Sequence, residues 1–184
     1  MEYIVFRTLR MIEREIALYR DLYACVCNQQ KLIMQSDMMD LLVVMVEQKE
    51  LTSEITLVEN EIMEELKDLA VLLGMDLPKN KELTINNVVN SLQECYGEFA
   101  EMIKTRCWVL TILLKKTKVQ NDENMDSLRN CLELWGNQPL VFDFWNKLGE
   151  NWKHEMADDL LAYNQEFFES EFVLENIYPN YTTV

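Results

Sequence analysis

The stretch TINNVVNSLQECYGEFAEMIKTRCWVLTILLKKTKVQNDENMDSLRNCLELW, residues 84–135, decides the fold of this chain. Ile85, Val88, Leu92, Tyr96, Phe99, Ile103, Arg106, Leu110, Leu113, Thr117, Gln120, Asn124, Leu128, Cys131 and Trp135 follow one another at steps of three and four. That spacing lines up side chains along one face of a helix. Gly97 lies off the stripe and costs about 1 kcal/mol relative to alanine, too little to break a helix alone. With Thr84 as N-cap, the spacing predicts a single helix over 84–135, about 78 Å long at ~1.5 Å per residue.

Two more helices precede it. From about Tyr3 to Gln35 a heptad stripe runs through Val5, Leu9, Ile12, Ile16, Tyr19, Tyr23, Val26 and Ile33, with Gln30 as its polar interruption. Ser36 or Asp37 supplies a cap for a second helix. Its stripe runs through Val44, Gln48, Leu51, Ile55, Val58, Ile62, Leu66, Leu69 and Leu73 and stops at Gly74. Two helices of similar length joined by a tight turn are expected to lie antiparallel. The expected fold is therefore all-α: an elongated antiparallel bundle or coiled coil of three long helices, with a C-terminal helical extension. The domain division is 1–136 for the bundle and 137–184 for the extension.

The third helix is longer than the second, about 57 Å by the same rise, so it is expected to overhang its partners. A continuous apolar stripe on an overhang would expose a large hydrophobic patch. The stripe does turn polar at Thr117, Gln120 and Asn124, and becomes apolar again at Leu128, Cys131, Leu132, Leu134 and Trp135. Those apolar residues need a cover, from the chain itself or from a partner helix. Asn121 and Asn124 carry two readings: polar residues that set helix register, or hydrogen-bonding groups for a bound helix.

Composition narrows the function classes. The chain has 184 residues, 49% of them hydrophobic, with only 4 Gly and 3 Pro, which leaves few turn residues for a sandwich or barrel. A formal net charge of -15 argues against nucleic acid, whose phosphates need clustered Lys and Arg, and against an anionic membrane surface. No apolar run approaches the roughly 18 residues of a membrane-spanning helix, and Arg7, Arg10, Glu13 and Arg14 interrupt the first apolar stretch, unlike a signal peptide. A cytoplasmic protein without stable membrane insertion is expected. Five cysteines, Cys25, Cys27, Cys95, Cys107 and Cys131, are dispersed without a metal-binding or disulfide pattern and read as buried small hydrophobes. The 11 methionines read mainly as core filler.

A resemblance is carried by these residues. The run from Ile12 to Gly74, IEREIALYRDLYACVCNQQKLIMQSDMMDLLVVMVEQKELTSEITLVENEIMEELKDLAVLLG, followed by a third helix ending in NDENMDSLRNCLELW, resembles the FlgN-type family of flagellar type III export chaperones. The Asn121 and Asn124 pair, then Leu128 and Leu132, are similar to the N-x-x-N and leucine pattern that closes that domain. The resemblance covers roughly residues 10–136. It implies an antiparallel helical protein without catalysis or cofactor that binds the C-terminal amphipathic helix of hook-filament junction subunits, keeps them unassembled and passes them to the export apparatus. The client site expected from it comprises Asn121, Asn124, Leu128, Cys131, Leu132 and Trp135. The alternative is a non-enzymatic helical scaffold or adaptor that assembles through its coiled coil, including as a homodimer through the overhang.

Residues 140–184 depart from that family, whose tails are short. Phe142, Trp145, Leu148, Trp152, Met156, Leu160, Tyr163, Phe167 and Phe168 support one or two amphipathic helices, and every charged side chain after His154 is an acid. Trp145, Trp152, Phe167 and Phe168 are expected either to cover the overhang or to mimic and dock a partner. The single histidine, His154, leaves no Ser-His-Asp arrangement elsewhere, no paired Glu-x-x-His motifs and no second zinc ligand in HEMAD. No catalytic or metal site is expected.

Overall fold

The structure, a computed structural model, describes residues 1–35, 37–75 and 83–135. Every regular element among them is a helix: α1 Glu2–Gln35, α2 Met38–Leu72, α3 Ile85–Cys95 and α4 Gly97–Trp135. The extension, including Trp145, Trp152, Phe167 and Phe168, lies outside the described residues.

The ends of these helices follow from local chemistry. Asp37 caps α2 by accepting from the Asp40 N–H at 3.2 Å, and Thr84 caps α3 by accepting from the Asn87 N–H at 3.3 Å. Each satisfies a donor that a helix start leaves without an intrahelical partner. At the other end of α2, Gly74 takes φ +66°. The Gly74 N–H donates to Val71 O and the Met75 N–H to Ala70 O, each at 3.0 Å. This is the left-handed C-terminal closure for which glycine, lacking Cβ, is the residue of choice.

Paired side chains give the helix directions. Arg7 meets Glu65, Arg14 meets Glu54, Tyr19 meets Glu59 and Gln29 meets Gln48: numbers fall along α2 as they rise along α1. Between α1 and α4 both rise together, from Glu13 with Arg106 through Val26 with Asn124 to Ile33 with Cys131. Helix α1 packs extensively on both α2 and α4, whereas α2 and α4 scarcely approach each other.

The predicted single helix over 84–135 is interrupted. Tyr96, at φ -144° and ψ 58°, ends α3. Its N–H still donates to Leu92 O, while its carbonyl accepts from the Ala100 N–H and starts α4. The chain then doubles back, as Lys104 Nζ donating to Gln93 Oε1 at 3.0 Å records. The cause is the position of α1. The pairings above set Gly97 level with the start of α1, so a straight helix would carry Ile85, Val88, Val89 and Leu92 past the end of the bundle. Folded back, all four are buried. At ~1.5–3 kcal/mol per buried aliphatic side chain, that outweighs the one or two helical hydrogen bonds lost at the break, about 1 kcal/mol each.

The expected overhang is corrected by the same geometry. Helix α4 has 39 residues and α1 has 34, and they lie side by side. Residues 117–128 run against the second half of α1, within the bundle.

Candidate functional site

Two apolar clusters fill the interior. The larger joins Ile12, Leu22, Ile62, Leu66, Leu92 and Ile103 with their neighbours, drawing on all four helices. The smaller joins Leu32, Ile33, Leu41, Val44 and Leu128, with Met45 and Cys131 packed against it. Between them lies a layer of amides. Asn124 Nδ2 donates to the backbone oxygen of Val26 at 2.7 Å and to Gln29 Oε1 at 3.2 Å. Gln48 Nε2 donates to the same Gln29 Oε1 at 3.2 Å. Gln120 Nε2 donates to Asn124 Oδ1 at 3.4 Å. Three helices are thus tied through one glutamine. Gln29, Gln48, Asn121 and Asn124 are all buried, at 1–3% exposure. A buried amide without partners would cost a few kcal/mol, so these bonds fix which residues of α1, α2 and α4 stand level.

The expected client residues separate on this framework. Asn121, Asn124 and Leu128 face the interior and are buried together. Cys131 is half-buried, its Sγ 3.9 Å from Ile33 O, a weak donor to a backbone acceptor. The side chains of Leu132 and Trp135 lie outside the described residues. Of the cysteines, read from sequence as buried, only Cys107 is fully so; Cys95 is exposed and Cys25, Cys27 and Cys131 are intermediate. Burial, with Glu15 nearby, pushes the Cys107 thiol far up.

Sequence reading missed Gln29, which is the hub of the layer, although Gln48 stood on the predicted stripe. It also missed the buried acids. Glu15, Glu59 and Glu65 have 0%, 7% and 5% exposure. Glu65 is held by Arg7 at 3.0 Å. Glu59, accepting from the Tyr19 hydroxyl at 3.5 Å, is raised to about 7 by burial, with the Tyr19 bond opposing. A charge on each of these helix faces would be read from sequence as solvated.

Beside the amide layer, the surface of the bundle has a definite form. Helix α3 lies in the lane between α2 and α4, opposite α1, packing on both. Among the described residues, no helix continues its course beyond Ile85. Lys104, which contacts α3, marks the lane side of α4. Helical spacing carries that side on through Lys115, Lys118 and Met125. On α2 the side away from the α1-paired Glu47 and Glu54 bears Met45 and Thr52. All five of Met45, Thr52, Lys115, Lys118 and Met125 are half-buried, and Val119 beside them is 59% exposed. Two methionines and lysine stems offer adaptable apolar contact with cationic ends.

Among the described residues, no group of three His, Cys, Asp or Glu side chains could hold a metal ion, and no helix is long and apolar enough to cross a membrane. Compared with known proteins, the chain matches no family model, no curated protein and no solved structure.

Proposed function

We propose that this chain is a non-enzymatic chaperone that captures an amphipathic helix of a partner in the lane between α2 and α4, beside the buried amide layer. The observation that carries this reading is the lane itself. It is flanked by two helices that scarcely approach each other, and helical spacing assigns the half-buried Met45, Thr52, Lys118 and Met125 to its side. An amphipathic helix laid there would bury its apolar face and complete a four-helix cross-section, as α3 does at the other end. The FlgN-like features of the sequence make the C-terminal helix of a flagellar hook-filament junction subunit the partner to try first, with the export apparatus as the recipient and the cytoplasm as the setting. In this reading Asn121, Asn124 and Leu128 act beneath the client as the support that fixes the lane.

The test is co-purification of the full chain with junction subunits, followed by the same experiment with Met125→Glu, which places an uncompensated charge on the lane floor. Capture lost in Met125→Glu and retained in the parent supports the reading; no capture by either sinks it. A second reading, a scaffold that assembles with itself, is favoured by Val43, Val46 and Leu57. They share the outer face of α2 and are exposed by 56%, 59% and 63%. Sedimentation of the chain alone separates the two: a stable dimer abolished by Val46→Glu favours the scaffold.

A further inference from the structure

The outer ridge of α1 carries an aromatic patch along its first turns. Tyr3, Phe6 and Arg10 follow one another at steps of three and four, the spacing of one helix face. Phe6 meets Phe99 of α4 edge to face, with ring centroids 5.4 Å apart, and Tyr96 leans on Phe99 at 6.4 Å. Tyr3 is 75% exposed, Phe6 50% and Tyr96 38%. At ~200 Å² per aromatic side chain, these three leave roughly 300 Å² in water, the size at which exposed patches on soluble proteins serve as binding surfaces. The charge here also departs from the rest of the chain. From Met1 to Arg14 three arginines stand against two glutamates, in a chain whose formal net charge is -15. Arg7, Arg14 and Arg106 each hold a carboxylate, whereas Arg10 has no carboxylate partner among the described residues. Both Arg10 and Glu2 are exposed.

We propose that this patch is the contact between two copies of this chain, which cross antiparallel about a two-fold axis at the level of Phe6 and Phe99. What selects a second copy is that the ridge complements itself when reversed. Tyr3 and Arg10 stand about 10.5 Å apart along α1 at ~1.5 Å per residue, and Phe6 lies near the middle. Reversal about Phe6 therefore lays the partner's Arg10 over Tyr3, a cation on an aromatic face, with Glu2 in reach of the same guanidinium. Phe6 and Phe99 meet their own counterparts at the axis. Tyr96 meets the partner's Met102, a thioether against a ring. Every contact occurs twice, as an isologous interface requires. The near-balance of charge lets two acidic chains approach here, whereas beside the exposed Val43 and Val46 of α2, Asp40, Glu47, Glu50 and Glu54 outnumber Lys49. Area sets the strength. The rings and their flanks fall short of the ~800 Å² per partner of a standard interface, so the dimer dissociates in the micromolar range. The lane lies beside the second half of α1, so each copy keeps its own, and the inference does not rest on what the lane binds.

Sedimentation equilibrium of the full chain between about 1 and 300 µM tests it, and the parent is expected to pass from monomer to dimer across that range. Phe6→Glu should raise the dissociation constant at least about tenfold, the loss expected of a central contact. Arg10→Glu and Glu2→Arg change exposed charges, and circular dichroism shows whether each variant keeps its helix. Each alone sets like charges together on both sides of the axis and should weaken association with itself by about threefold or more. An equimolar mixture of the two should associate more tightly than either variant alone, because the mixed dimer places opposite charges together at both ends. Residues 2 and 10 are too far apart on one helix for that recovery to arise within a chain. A parent that stays monomeric throughout overturns the inference, as does association unchanged by Phe6→Glu. So does a mixture no tighter than its components, or a dimer that Val46→Glu abolishes, which assigns the contact to α2. Failure of junction-subunit capture in the lane, with this dimer present, counts against the chaperone reading alone.

Discussion

The two halves of α1 face different surroundings. Its first half, with α2, α3 and α4 around it, is packed mainly by aliphatic side chains, among them Val5, Ile12, Ile62, Leu66, Leu92 and Ile103, with the carboxylates Glu15, Glu59 and Glu65 buried among them. Its second half meets only α2 and α4 among the described helices, and there Gln29, Gln48 and Asn124 replace aliphatic side chains before a small cluster resumes at Ile33, Leu41 and Leu128. The first half supplies stability, because apolar burial is large and indifferent to direction. The second supplies register, because hydrogen bonds among buried amides are satisfied in one alignment only. The proposed lane lies beside the second half, where α2 and α4 scarcely approach each other.

The sharpest way to break this contrast is to remove packing at the apolar end. Leu66→Ala deletes a fully buried side chain and should cost about 2 to 5 kcal/mol in urea unfolding, while the hydrogen-bonded layer far along α2 keeps its alignment.

Acidity sharpens the contrast next, because a titrating group lies at the apolar end and the amides do not titrate. Glu59 is raised to about 7 by burial. A folded value above the unfolded one means that the native state holds the proton more tightly. Its contribution is complete below about pH 4.5 and is lost as pH rises through 7. Stability measured by denaturation should fall between pH 5 and pH 8 by on the order of 2 kcal/mol, and Glu59→Gln should flatten that slope.

Asn124→Ala should cost about 1 to 2 kcal/mol, since it leaves buried Gln29 with one partner fewer. Its distinguishing readout is exchange at the amides of Val26 to Ile33, which should quicken more than those of Ile12 to Leu22. Smallest of the four, Gly74→Ala should cost about 1 kcal/mol by thermal unfolding, because φ +66° is unfavourable once a Cβ is present and no neighbour lies within 4 Å to add a clash.

Much of this fold is legible in the residues. The heptads of α1 and α2, the stop at Gly74 and the cap at Thr84 are local signals, and each is found where its chemistry puts it. The break at Tyr96 is not local. Steps of three and four continue across it, and what forces the turn is the start of α1, more than ninety residues earlier in the chain. The inward register of α4 was half legible. Ile103, Leu110, Thr117, Asn124 and Leu128 do lie inward, but Phe99, Arg106 and Gln120 flank α1, and their neighbours Ala100, Cys107 and Asn121 are buried in their stead. Adjacent residues fit a three-four rhythm equally well, and a small alanine or cysteine gives no signal of its own. The asparagines announced a polar layer; its hub, Gln29, needed the helix pairing to be seen. The buried carboxylates Glu15, Glu59 and Glu65 had no sequence signal that separates them from solvated glutamates.

The most direct measurement is isothermal titration of a junction subunit's C-terminal helix into the full chain, into Met125→Glu and into Leu66→Ala. Capture in the lane requires that Met125→Glu weaken binding at least about tenfold, the loss expected of a central contact, while folded Leu66→Ala binds within about twofold of the parent. Equal affinity of Met125→Glu and the parent, or tighter dependence on Leu66 than on Met125, would contradict helix capture between α2 and α4.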